Sequence, residues 1–197
     1  ESLDVPYIHL GTDETDFKDK LFVPEMVEHV RSLGKKAIAW NPGWSFKSKE
    51  VDLLHLWSSK GRIVYGTPAI DSRYHYLNHY DLFADIQMLY SSKILGVTAS
   101  NTNVMGAILA VWNDRYVESP RTIMQENAVY PNMLALAERA WLGGGAGYFN
   151  APTAALSPEA SPETREAFVD FERRLLWHKD RVFAGEPFPY VAQSHAQ

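Results

Sequence analysis

The sequence contains no cysteine. Disulfides, thiolate nucleophiles and Cys-ligated metals are therefore excluded, while the redox compartment stays open. Long apolar runs are also missing. The longest, residues 107–112, has six residues, against about 18 for a membrane-spanning helix. Cationic residues are in deficit, with 19 Lys and Arg against 24 Asp and Glu and a net charge of -5. No basic stripe or basic amphipathic face is present, so neither nucleic acid nor a membrane is an expected partner. No Gly-rich phosphate loop follows any predicted strand, which argues against a nucleotide site. His9, His55, His75 and His79 do not share a metal-ligand spacing on one element. His9 with Asp13 or Glu14 is a weak carboxylate-type alternative, and His9 reads better as a hydrogen-bonded strand residue. No metal and no cofactor are expected. The chain starts without Met, a basic n-region or a cleavage site, and its first residues run straight into an apolar strand, so it reads as cut from something longer.

What is present is a globular composition, 46% hydrophobic over 197 residues, the length of one large domain or slightly more. Aromatic residues make up 13%, with six Trp and ten Tyr. Such side chains stack on sugar rings, but they also build ordinary cores. Strands are predicted at residues 5–11, 36–41, 52–58, 61–67 and 104–113, the last continuously apolar as if buried on both faces. Helices are predicted at 24–33, closed by Gly34, at 82–90, at 131–141, closed by Gly143, and after the Ser161-Pro162 cap. Phe168, Phe171, Leu175 and Leu176 form the buried stripe of the last helix. Strand, polar loop and helix repeat, which predicts an α/β fold with a parallel sheet. Two parts are expected: residues 1–143, and residues 144–197 as a linker and a helix packing on the first part.

The chemistry-bearing residues gather at predicted strand C-termini: Asp13-Glu14, Trp40-Asn41, Trp57, Tyr76 and Trp112-Asn113-Asp114. Both (β/α)8 barrels and doubly wound sheets place ligands at that end. Adjacent carboxylates there can be aimed into a cleft, where mutual repulsion keeps one protonated as an acid for a glycosidic oxygen. The same residues also suit an acidic helix N-terminus. Three Trp at one barrel mouth would make an apolar box, whereas each alone would be core. Tyr76-Leu77-Asn78 offers hydrogen bonds to a polar substrate or is an ordinary loop.

These residues resemble glycoside hydrolase family 20, the β-N-acetylhexosaminidases. His9-Leu10-Gly11-Thr12-Asp13-Glu14 is similar to the family's His-x-Gly-Gly-Asp-Glu. Trp40 and Trp57 resemble its next two strand-closing Trp residues. Tyr76-Leu77-Asn78 resembles its Tyr-Leu-Asp loop, and Trp112-Asn113-Asp114 its Trp-x-Glu. Tyr130-Pro131 with residues 135–141 resembles its Trp-Pro-Arg and Ala-Glu-Arg-x-Trp helix. The resemblance spans about residues 7–141. It implies a (β/α)8 TIM barrel and hydrolysis of β-linked N-acetylhexosamine from glycans by substrate-assisted, retaining catalysis. Glu14 is then the general acid and base, Asp13 holds the acetamide N–H, and Tyr76 its oxygen. Trp40 and Trp57 line the acetyl pocket, Trp112 stacks on the sugar, and His9, Asn78 and Asp114 belong to the substrate site. An extracellular or periplasmic location is also implied.

Three departures bear on this. Thr12 replaces the family's second Gly, Asn78 its Asp and Asp114 its Glu, which puts the preferred sugar in question more than the reaction. The family's first three strands have no counterpart. About five strand units are expected here against eight for closure, so docking with the missing N-terminal half of the barrel, or dimerisation, is expected. The piece alone is expected to be inactive or nearly so. Two alternatives remain: a non-catalytic carbohydrate-binding relative, and a two-carboxylate glycosidase using Glu14 and Asp114.

Overall fold

The computed structural model describes residues 4–77, 86–96, 102–113, 116–145, 161–190 and 192. Its architecture is α/β, as the strand–helix alternation predicts. Strands β1 (Tyr7–His9), β2 (Lys36–Asn41), β3 (Leu53–Leu56), β4 (Ala69–Asp71) and β5 (Val104–Ala107) form one sheet. Every pairing is parallel and the order is β1-β2-β3-β4-β5. Strand order follows chain order without reversal, so this sheet has no doubly wound switch point. The helices are α1 (Phe22–Ser32), α2 (Ile86–Ser91), α3 (Pro120–Glu126), α4 (Val129–Leu142) and α5 (Pro162–Arg181).

The chain forms two compact units. The first, within Glu1–Tyr74 and Asn101–Ile108, holds the whole sheet and α1. Register sorts its side chains. Ala39 pairs with Leu54 and Leu54 with Ala69, one lateral row of small and apolar residues. Trp40 pairs with His55 and His55 with Ile70, a row one residue along and therefore on the opposite face. The Ala39 row is fully buried, as are Val23, Val27 and Val30 on the apolar side of α1. Each buried Val stabilises by about 1.5–3 kcal/mol relative to exposure, and alanines on the sheet let a helix approach closely. Asp52 ties these layers together. It accepts from the Ala37 N–H at 2.9 Å and from Arg31 Nη2 at 3.1 Å. Burial pushes its carboxyl up, but the Arg31 guanidinium and the Ala37 N–H outweigh that and hold it below the ordinary carboxylate value.

The second unit, within His75–Ser100 and Leu109–Gln197, holds the other helices. Its core joins Ile86, Leu89 and Tyr90 of α2 to Ala135 of α4 and to Phe168, Phe171 and Leu175 of α5. The Tyr90 ring lies 4.8 Å from Phe171 and 5.3 Å from Phe168. Arg139, buried in α4, donates to the carbonyls of Tyr90 and Gly143. Glu138 takes a bidentate pair from Arg174 of α5, at 2.7 and 2.9 Å. The Ala-Glu-Arg segment of α4 thus serves as helix-to-helix bracing. Ser161 caps α5 through the Thr164 N–H, with Pro162 in the first turn, as its sequence predicts.

Three expectations are corrected. Residues 61–67 form no strand, and β4 begins only after Pro68. A Thr67 N–H bond to the Val64 carbonyl closes a turn there, Gly66 takes a φ of 80°, and Tyr65 is 94% exposed. The run at 104–113 stays in the sheet only to Ala107. A register shift interrupts its pairing with β4, and Met105, Ile108 and Val111 are exposed, so continuous apolarity does not mean burial on both faces here. Beyond it, Ala110 bridges Tyr76 within the second unit. Helix α3 was not among the predicted elements. It starts on Ser119-Pro120, the same cap-and-proline pair that opens α5. Of the helix predicted at 82–90, residues 82–85 lie outside the described residues.

Candidate active site

β1 ends at His9, and the chain then turns sharply. Gly11, Thr12 and Glu14 all have positive φ, at 78°, 90° and 46°. Glycine accepts this, whereas a β-branched residue at φ 90° is strained by about 1–3 kcal/mol. The turn is held by the sheet and the loop after β2. Leu10 N–H donates to the Ile38 carbonyl at 2.8 Å, Trp40 N–H to the Gly11 carbonyl at 2.8 Å, and Trp44 N–H to the Thr12 carbonyl at 2.9 Å. Gly43 permits that approach, because a Cβ there would sit 2.5 Å from the Thr12 carbonyl oxygen.

His9, Trp40, His55 and Trp57 cluster on one face of the sheet. Ring centroids are 4.5 Å apart for His9 and Trp40, 4.1 Å for Trp40 and His55, and 6.5 Å for Trp40 and Trp57. The Trp57 indole N–H donates to the Pro42 carbonyl at 2.7 Å, which fixes its rotation. Gly11 N–H donates to His9 Nδ1 at 3.0 Å, so Nδ1 is the acceptor nitrogen and a neutral His9 carries its proton on Nε2. Ser72 Oγ donates to the Leu56 carbonyl at 3.2 Å and lies 2.8 Å from His55 Nε2. The hydroxyl has one proton to give, so His55 Nε2 is the donor. Burial holds the His55 pKa down at about 4, helped by the positive charge of His9 and opposed by Asp71. His9 stays exposed at the sheet edge. Its ring still loses enough water against Trp40 to sit below the ordinary imidazole value, with the Asp13 carboxylate opposing that fall.

The neighbouring acids serve different surroundings. Asp13 is half-buried and acts electrostatically on His9, at the edge of the aromatic cluster. Glu14 is exposed and lines a cavity of about 510 Å³ with Thr12, Phe17, Lys20 and Trp44, whose wall includes neither Trp40 nor Trp57. Within the first unit the structure therefore brings together His9, Asp13, Trp40 and Trp57, and sets Glu14 beside a further indole. Trp44 and His55 were not among the predicted site residues. The Trp closing β2 was legible at its strand end, but Trp44 reaches the turn through a backbone bond with no sequence signature.

In the second unit, Tyr76 and Trp112 stand with ring centroids 6.5 Å apart. The Leu77 N–H and the Ala110 carbonyl hold their two segments side by side at 2.8 Å. Trp112 is 54% exposed. Asn78 and Asp114 lie outside the described residues. Among the described residues no group of three or more His, Asp and Glu side chains is placed to hold a metal ion, and no helix is long and apolar enough to cross a membrane. No family model and no curated protein matches this chain.

Proposed function

We propose that this chain is the C-terminal part of a (β/α)8-barrel glycoside hydrolase that releases β-linked N-acetylhexosamine from glycans by substrate-assisted catalysis. The observation that carries the reading is the Asp13-Glu14 pair on a strained turn directly after β1, with Trp40 closing β2 and Trp57 following β3. Five parallel strands in chain order suit an arc of such a barrel, which needs eight to close. The open edge at β1, with Ile8 exposed, is where further strand units would pair.

The chemistry runs through the substrate's own amide. Its acetamido oxygen attacks the anomeric carbon as the glycosidic C–O bond breaks. Protonated Glu14 gives its proton to the departing oxygen, leaving an oxazolinium ring. Glu14 carboxylate then takes a proton from water, the water oxygen bonds to the anomeric carbon with retained configuration, and the acetamide reforms. Asp13 accepts from the acetamide N–H, orients it and balances the charge it develops. The family resemblance alone assigns Tyr76 as donor to the acetamide oxygen. Trp40 and Trp57 wall the acetyl group beside His9, and the family resemblance alone assigns stacking on the ring to Trp112 and substrate contacts to Asn78 and Asp114. Confining the amide beneath the ring supplies the proximity that makes an internal nucleophile effective.

The test is hydrolysis of an aryl N-acetyl-β-glucosaminide or galactosaminide by the polypeptide carrying the complete barrel. Glu14→Gln is expected to lower kcat/KM by about 10²–10⁴-fold, and full activity in that variant refutes the assignment. A thiazoline mimic of the cyclised amide is expected to inhibit. A hydrolase that ignores this compound uses two carboxylates instead, and sugar binding without turnover marks a non-catalytic relative.

A further inference from the structure

Glu14 opens onto a second aromatic surface that the reaction proposed above does not use. The cavity of about 510 Å³ beside it has Trp44 as its flat apolar wall, within the roughly 300–1,000 Å³ typical of small-molecule sites. Trp44 is braced. Phe17 meets it edge-on at 5.9 Å, and Phe22 stacks on Phe17 at 6.0 Å. The Trp44 backbone is fixed by its bond to the Thr12 carbonyl. Lys20 Nζ lies 5.8 Å from the centre of the indole and donates to the Phe17 carbonyl at 2.9 Å. The rim thus offers an ammonium donor, the Glu14 and Asp16 carboxylates as acceptors, and the Ser45 hydroxyl. Thr12 also lines the cavity. Its hydroxyl is buried, out of a ligand's reach, and makes no hydrogen bond among the described residues.

This surface selects a class of ligand. A flat indole bordered by both donors and acceptors suits a pyranose, whose C–H face is apolar and whose hydroxyls radiate outward. The Asp16 carboxylate on the rim disfavours phosphates and other anions. We propose that the Trp44 cavity is a subsite for a second sugar ring, the one on the leaving-group side of the bond that Glu14 protonates. The inference rests on the hydrolase reading for its label as the leaving-group side. It adds that the substrate is an oligosaccharide rather than an isolated terminal sugar.

The experiment is calorimetric titration of the full chain with N,N′-diacetylchitobiose and with methyl N-acetyl-β-glucosaminide. The disaccharide is expected to bind at least tenfold tighter. Trp44→Ala is expected to erase that difference and Trp44→Phe to restore most of it, with folding of both variants checked by circular dichroism. Disaccharide binding that is indifferent to Trp44, or no sugar binding at all, overturns the subsite. The hydrolase reading is decided separately by the Glu14→Gln assay. Trp44-dependent binding without Glu14-dependent hydrolysis overturns that reading alone, and Glu14-dependent hydrolysis with Trp44-independent binding overturns this inference alone.

Discussion

Lowering the pH from 7 to 4 is expected to destabilise the first unit through His55. This side chain is 5% exposed, packed at a tilt against Trp40 and hydrogen-bonded to Ser72. Its pKa falls from the ordinary 6.5 to about 4 in the folded chain, mainly through burial. Between those two values the unfolded chain binds a proton that the folded chain refuses. Stability therefore falls as pH drops through the window from about 6.5 to about 4, and the loss is complete below it. At about 1.4 kcal/mol per pH unit, the full effect is about 3 kcal/mol, of which about 2 kcal/mol is already lost at pH 5. Two assays read it. The carbon-bound ring protons of His55 should titrate near pH 4 by NMR. Urea midpoints followed by Trp fluorescence should drop between pH 7 and pH 5 in the wild type and less steeply in His55→Gln. Removing the neighbouring charge with His9→Gln should move the His55 midpoint upward. A His55 midpoint at 6 or above, or identical pH slopes in wild type and His55→Gln, refutes the reasoning.

Thr12→Gly is expected to stabilise the chain by about 1 kcal/mol. Relief of about 1–3 kcal/mol of backbone strain and of an unsatisfied buried hydroxyl outweighs about 0.5–1 kcal/mol of added unfolded-state freedom and the lost methyl contact. Differential scanning calorimetry should show Tm rising by about 2–4 °C, and a lower Tm contradicts the strain argument. Asp52→Ala is expected to cost about 2 kcal/mol by leaving the Ala37 N–H without its acceptor and Arg31 without its partner. Asp52→Asn should recover part of that in denaturant titrations, and an unchanged midpoint in Asp52→Ala would remove Asp52 from the packing account.

Much of the first unit was legible because its local signals agree with its packing. Met26, Val27, Val30 and Leu33 recur at helical spacing between Pro24 and Gly34, and α1 forms there, with Val27 and Val30 buried beside Val23, Met26 half-buried and Leu33 exposed. The same holds for α5, where the Ser161-Pro162 cap and the phenylalanine stripe are both realised. Residues 61–67 misled because apolar side chains inside a loop imitate a strand until Gly66 and Pro68 are weighed as breakers. Helix α3 was readable from Ser119-Pro120, but without an apolar stripe to follow it: none of its residues is buried. The site is another matter. Nothing in the order of residues 11–14 says that Asp13 acts on His9 while Glu14 borders Trp44. That divergence follows from the positive φ at Thr12 and Glu14, which tertiary backbone bonds impose.

Lys49 at φ 63° aside, the breaches of local rules in the first unit gather at one turn. On the face of the sheet that carries Ala39, Leu54 and Ala69, small and apolar side chains are buried where pattern and propensity put them. At the turn after β1, a β-branched residue takes φ 90°, its hydroxyl is buried without a hydrogen-bond partner among the described residues, and two carboxylates stand next to each other in the chain. A chain under selection for stability alone would place glycine at position 12 and a hydrogen-bond partner beside any hydroxyl it buried. Sequences that break local rules in one place while obeying them nearby generally do so where function imposes a geometry. Inference in that direction, from an observed outlier to a role, is the sound one. It points to residues 12–14, of which Asp13 and Glu14 are also selected by the family resemblance, while Thr12 stands where the family has glycine. If Thr12→Gly raised stability and left Trp44-dependent sugar binding and Glu14-dependent hydrolysis untouched, the strain would be incidental, and this convergence would lose its force.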